Sequence, residues 1–210
     1  MALAAFIHKP GFSHALLAFI HEQNHPKSGH QMPSDTLFDG SIRIFNSAKV
    51  EFYAPSDLCG TGGMHREVIH ANPNFGGSPR FDTVFVSVGD EATAMNGLLV
   101  AWVWLIFSYF DPYHSKDIPC ALVTWFVHPN DNPECDRDTG MWKVQREVDE
   151  NGEQPVQVIH LDTILRGAHL LPCYGKGFLP VELKYTDSLD AWDSYLVNQF
   201  IDQHAHELLL

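Results

Sequence analysis

Cysteine is scarce in this chain. Its four cysteines, Cys59, Cys120, Cys135 and Cys173, are spread over 210 residues and form no C-x-x-C pair. That excludes a zinc ribbon or a thioredoxin-type motif, and the density is too low for a disulfide scaffold. The four are read as free thiols of a reducing compartment. Basic residues are scarce as well: 13 Lys and Arg face 26 Asp and Glu, for a net charge of −13. The deficit is uneven, −3 over residues 1–100 and −10 over residues 101–210. A surface of carboxylates repels phosphate backbones, so direct nucleic-acid binding is disfavoured. Long apolar runs are missing too. The longest, "LLVAWVWLIFSYF" at residues 98–110, falls short of the about 20 residues of a membrane helix. Its β-branched and aromatic content suits a buried strand. The N-terminal "MALAAFIHKPGF" has no basic segment ahead of its apolar run and makes a poor secretion signal.

What is present supports a folded core: 45% of residues are hydrophobic and 12% aromatic. Residues 11–25 predict a helix, with Ser13 as N-cap and Leu16, Leu17, Phe19 and Ile20 as its apolar face. Residues 27–40 read as a turn-rich linker. Residues 41–55 alternate as one or two strands, with a break at Asn46-Ser47. "SDLCGTGGMHREVI" and "NPNFGGSPR" read as loops, the first leading into a turn of helix. Short strands then follow: "RFDTVFVSV", the long apolar run, "IPCALVTWFVH", "MWKVQREV" and "VQVIHL". The second and third predict a hairpin. Asn151-Gly152 predicts a turn that pairs the last two. The tail reads as an amphipathic helix, because Leu189, Trp192, Leu196 and Phe200 recur at helical spacing, with Asp187 or Ser188 as its cap.

The expected organisation is therefore α+β: a helical segment and linker at residues 1–40, a strand with Gly/Pro-rich loops at 41–79, a small antiparallel SH3-like or BAH-like β-barrel at 80–180, and a C-terminal helix at 181–210.

Candidate chemistry concentrates in "VQVIHLDTILRGAHLLPCYG", residues 156–175. His160, Asp162 and His169 are the candidate metal ligands, and a metal-dependent hydrolase built on them is the alternative function. The local pattern also has a structural reading. Asp162 would cap a one-turn helix, Gly167 would end it, and Arg166 would pair with Asp162 at i+4. Pro172 points to an edge strand. Elsewhere the motifs fail their templates. "CGTGG" lacks the Lys of a phosphate-binding loop. His65 and His70 are five apart, not four as in H-E-x-x-H. The loop "DNPECDRD" lacks the EF-hand glycine. His204 and His206, two apart on a helix, would point in different directions. No catalytic residue and no cofactor is expected. Trp102, Trp104, Trp125 and Trp142 lie on or near the strands and are candidates for a peptide-binding aromatic cage.

"FNSAKVEFYAPSDLCGTGGMHRE", "FDTVFV", "PCALVTWF", "DTGMWKV", "VIHLDTILRGAHLLPCYG" and "DSLDAWDSYLVNQFIDQHAHE" together resemble the C-terminal region of large proteins of Plavaka-type elements in mushroom-forming basidiomycete fungi, relatives of the CACTA DNA transposons. The resemblance runs from about Phe45 to Glu207. It implies a transposon-derived accessory region outside the catalytic core, with no catalytic residues to carry over. A chain holding this region alone is expected to be a remnant or a separately encoded piece, without transposase activity. The implied role is a protein-interaction or chromatin-association module, intracellular and nuclear. Its partner would be basic, such as a histone or a component of the transposition complex.

Overall fold

The structure, a computed structural model, describes residues 9–25, 38, 40–55, 61–89, 94–130, 133–174, 178–179 and 181–210. The 27–40 linker and the first half of the "CGTGG" loop fall largely outside these residues. The fold is mostly β, with a curled half-barrel sheet and two short helices. Among the described residues no helix is long and apolar enough to cross a membrane.

The apolar run and its partner make the central hairpin. Strand β6 (Leu98–Asp111) pairs antiparallel with β7 (Lys116–Val127), as their composition predicts. Each uses its outer edge twice. Along β6, β5 (Thr83–Ser87) covers the first half and β1 (Ile42–Phe45) the second. Along β7, β8 (Trp142–Arg146) and β9 (Gln157–His160) divide the edge in the same way. Asn151-Gly152 does sit in a turn, with Gly152 at φ 81°, yet β8 and β9 do not pair with each other. Both find β7 instead, because its long edge offers more backbone donors than a two-strand ribbon would.

The sheet continues through β10 (Ile164–Gly167) beyond β5, and through β12 (Tyr195–Val197) and β11 (Leu170–Pro172) beyond β8. Pro172 lies on the last strand in that order, at an edge as expected. A second sheet of three strands joins β2 (Ser47–Tyr53), β3 (Met64–Phe75) and β4 (Ser78–Phe81). Its β3 corrects the loop reading of "HREVIH" and "NPNF". Seven residues of β3 pair with β2 in unbroken register, so their donors are met by a strand partner rather than by a turn of helix. The sheets thus draw on β1 and β12, outside the 80–180 span assigned to the barrel.

Helix α1 (Phe12–Asn24) forms where its periodicity places it and buries Phe12, Leu16 and Phe19. Gly11, not Ser13, is its N-cap, and no side chain caps it. The predicted C-terminal helix is overturned over most of its length. Apart from a single 3-10 turn at Tyr185–Asp187, only α2 (Gln203–Leu209) is helical there, capped by Asp202, which accepts from the Ala205 N–H. The stripe Leu189, Trp192, Leu196, Phe200 was compatible with a helix, but Tyr195 and Val197, at strand spacing, are both 0% exposed between β8 and β11. Phe200, at the end of the supposed stripe, stays 60% exposed. Burial of an aromatic and a branched side chain outweighs the few tenths of a kcal/mol per residue of helix propensity.

Candidate functional site: an aromatic cleft

Trp104 occupies an irregular point of β6. Val103 pairs with Val123 and Leu105 with Leu122, so Trp104 is the extra residue of a β-bulge. A bulge breaks the alternation. Trp102, Trp104, Leu105 and Phe107 consequently share one face, while Ala101, Val103 and Ile106 pack into the core on the other. The bulge lies opposite the division between β5 and β1, where the small sheet diverges. A cleft of about 750 Å³ opens there, lined in part by Lys9, Asn46, Pro79, Phe81, Trp104 and Asp190. A second hollow of about 320 Å³ shares Pro79 and Phe81 with it and continues past Phe75 and Trp102.

The aromatic wall is fixed by packing and by its own polar tips. The Trp102 and Trp104 ring centroids are 4.3 Å apart, and Phe81 lies 5.2 Å from Trp104. The Trp102 indole N–H donates to the Phe81 carbonyl at 3.0 Å, and that of Trp104 donates to Thr124 Oγ1 at 3.0 Å. Rings held in this way present a face without needing to reorganise.

Lys9 is seated on that wall, its Nζ 3.9 Å from the centroid of the Trp104 ring. Helix α1 puts it there: Phe12 packs edge-on against Phe107 at 5.5 Å, and Phe19 lies 6.4 Å from Tyr109. Lys9 precedes the first helical turn, its carbonyl accepting from the Phe12 N–H at 3.2 Å. Burial lowers the pKa of the Lys9 ammonium, the carboxylates of Asp190 and Glu153 act in the opposite sense, and the guanidinium of Arg146 adds to the lowering. Asp190 is itself held by Arg146 at 3.0 Å. Among the described residues Lys9 Nζ makes no hydrogen bond and no ion pair, and the aromatic face is its direct contact.

The four tryptophans do not form one cage. Trp102 is only 5% exposed and serves as a wall behind Trp104. Trp125 packs with the core layer on the opposite face and donates to Gln157 Oε1 at 2.6 Å. Trp142 donates to the Leu209 carbonyl at 3.2 Å and faces His128.

The candidate metal residues are not brought together. His160 packs against Phe19 at 4.8 Å, Asp162 lies in the short turn Leu161–Thr163, and His169 meets Asn198 at 3.1 Å. Among the described residues no three His, Cys, Asp or Glu side chains are placed to hold a metal ion. The local reading of "DTILRG" is also corrected. Asp162 caps nothing, because His160 is the N-cap of that turn and no side chain bonds to it. Gly167 does not end a helix. It closes β10, and its N–H donates to Glu67 Oε2 at 2.8 Å. Arg166 pairs elsewhere. Its Nη1 and Nη2 donate to the two Asp202 oxygens at 2.8 and 2.6 Å, and Nη2 also donates to Glu67 Oε1 at 2.7 Å. It also lies 4.8 Å from the Phe52 ring centroid. Burial opposes its charge, but the two carboxylates raise its pKa.

A His–Asp pair outside the cleft has a structural part as well. Asp82 Oδ2 accepts from the His70 backbone N–H at 2.8 Å and meets the ring Nδ1 at 3.0 Å, and Arg80 holds the other oxygen. The buried Cys120 thiol is pushed up to about 12, first by burial and then by Asp162, which makes it a poor nucleophile.

Neither the Lys9 seat nor the Arg166 partners were foreseen. Glu67 and Asp202 stand 99 and 36 positions from Arg166, beyond any local pattern. Fold and cleft define the chain as a β-rich protein with an aromatic groove. No protein-family model, curated protein or solved structure matches it.

Proposed function

We propose that this chain is a non-catalytic protein-interaction module, derived from a DNA transposon protein of the Plavaka-type, CACTA-like group, that docks a basic segment of a nuclear partner. A histone tail or a basic component of a transposition complex has the required chemistry. The observation that carries this reading is the cleft at Trp104, an aromatic wall with a lysine ammonium over it and Asp190 and Glu153 nearby. The net charge of −13 supports it, since an acidic surface speeds encounter with a cationic segment and disfavours nucleic acid. The wild-type chain is tested on an array of histone-derived and other basic peptides at low salt. Binding of a subset above sequence-scrambled peptides of equal charge is expected. Signals that follow peptide charge alone would refute the reading.

A further inference from the structure

We propose that the Trp104 cleft is a receptor for a methylated lysine side chain, and that Lys9 is its internal occupant, which a partner's lysine must displace. This deepens the interaction reading, because it names the group on the partner that the same cleft recognises.

An unmodified ammonium carries three donors and normally satisfies them. Among the described residues Lys9 Nζ has no protein hydrogen-bond partner, although Asp190 lines the same cleft, and its donors are left to water. What it does have is a ring face at 3.9 Å. A seat of that kind rewards charge and polarisability and makes no use of N–H groups. Methylation keeps the charge, removes the donors that would otherwise need water, and adds apolar surface against an aromatic wall. The wall is already set by the indole hydrogen bonds of Trp102 and Trp104, so little ordering is required when a ligand arrives.

Space and placement agree. At about 750 Å³ the cleft is far larger than one lysine head group, and it continues into the hollow beside Phe75 and Trp102. A peptide flanking the lysine has a path along Pro79 and Phe81 into that hollow, where it meets Arg80 over the Phe75 ring. Lys9 precedes α1 rather than lying within it, so it can leave while Phe12, Leu16 and Phe19 stay packed. Attachment to α1 gives Lys9 a high effective concentration at the seat, so it competes with a free ligand.

The probe is N-acetyl-trimethyllysine methylamide, titrated into the full chain by calorimetry and followed by the Trp104 indole N–H resonance. Its unmethylated counterpart and its uncharged tert-butyl isostere are run beside it. Lys9→Ala is expected to bind the trimethylated probe about tenfold tighter than wild type, since the internal competitor is gone. In that variant the unmethylated and uncharged analogues should each bind about fivefold more weakly than the trimethylated probe. Equal affinity of wild type and Lys9→Ala would show that Lys9 does not compete. An isostere or an unmethylated analogue that binds as well as the trimethylated probe would remove the methylammonium assignment. These arms do not require a variant of Trp104 that might misfold. They also separate the two readings: a Lys9→Ala chain that takes the probe while no peptide binds wild type would refute the partner proposal and leave the cleft chemistry standing. Peptide binding that is unaffected by saturating probe would refute the cleft assignment and leave a partner bound elsewhere.

Discussion

Among the described residues Lys9, Arg80 and Arg166 each lie over an aromatic ring, and the first and last of them are held in opposite ways. Arg166 lies 4.8 Å from the Phe52 centroid with its side chain 4% exposed, and its guanidinium meets both Asp202 and Glu67. Lys9 lies 3.9 Å from the Trp104 centroid, and among the described residues no carboxylate touches it. The first arrangement ties β10 to β3 and to the start of α2, and a partner removed would leave charge stranded in low dielectric. The second joins nothing essential and stands in an open cleft. An aromatic face alone does not distinguish a structural cation from an exchangeable one. The carboxylates in contact with it do.

Arg166 is the more costly of the two cations to replace. Arg166→Met keeps bulk over Phe52 but strands two carboxylates, and it should lower unfolding free energy by about 3 kcal/mol in chemical denaturation. A loss below about 1 kcal/mol would mean that the cluster is not structural. A smaller loss is expected for Glu67→Gln, about 1–2 kcal/mol, because the amide keeps one acceptor for the Gly167 N–H but gives up the charge that faces Arg166.

Acid should reach the same cluster. The hydrogen bond from Arg166 holds the Asp202 carboxyl below its usual range. A carboxylate depressed in the folded state contributes stability that is present above its unfolded pKa and lost as pH falls through the folded one. His128 adds loss at milder pH, since burial lowers its pKa and the folded state disfavours the imidazolium below the unfolded value of 6.5. Thermal midpoints should therefore fall in two stages below neutrality. Asp202→Asn should flatten the lower stage, and an unchanged slope in that variant would contradict the assignment.

The smallest expected effect is at the other cation. Lys9→Ala should cost less than about 1 kcal/mol, since an accessible cation–π contact without an ion pair is worth little to folding. A loss as large as that of Arg166→Met would erase the contrast and make the cleft part of the structural frame.

Legibility in the sequence varied with the range of the determining contact. The β6–β7 hairpin was legible because its apolar residues and its turn are adjacent. The α1 stripe was legible from Leu16, Leu17, Phe19 and Ile20 at helical spacing, although the buried Phe12 was not part of the expected face. The bulge at Trp104 was not, since "AWVWLI" alternates in composition whether or not a residue is left unpaired. The polar run "HLDTILRG" misled for a related reason. Asp162 and Arg166 satisfy i+4 spacing, yet Arg166 found better-placed carboxylates from distant segments. Of the four tryptophans picked out for one aromatic cage, Trp102 and Trp104 lie side by side, whereas Trp125 and Trp142 lie elsewhere.

By itself the sequence determined the strand-rich character, the central hairpin, the first helix and the acidic surface. Each follows from composition or from a repeat within a dozen residues, which the backbone reads locally. Only the tertiary structure decided that residues 195–197 extend the sheet rather than a helix, that Trp104 is turned into a cleft, and that Arg166 is locked while Lys9 is merely seated. Those outcomes depend on which distant groups share a low-dielectric interior once the chain has closed on itself, and burial and pairing there outweigh local preference.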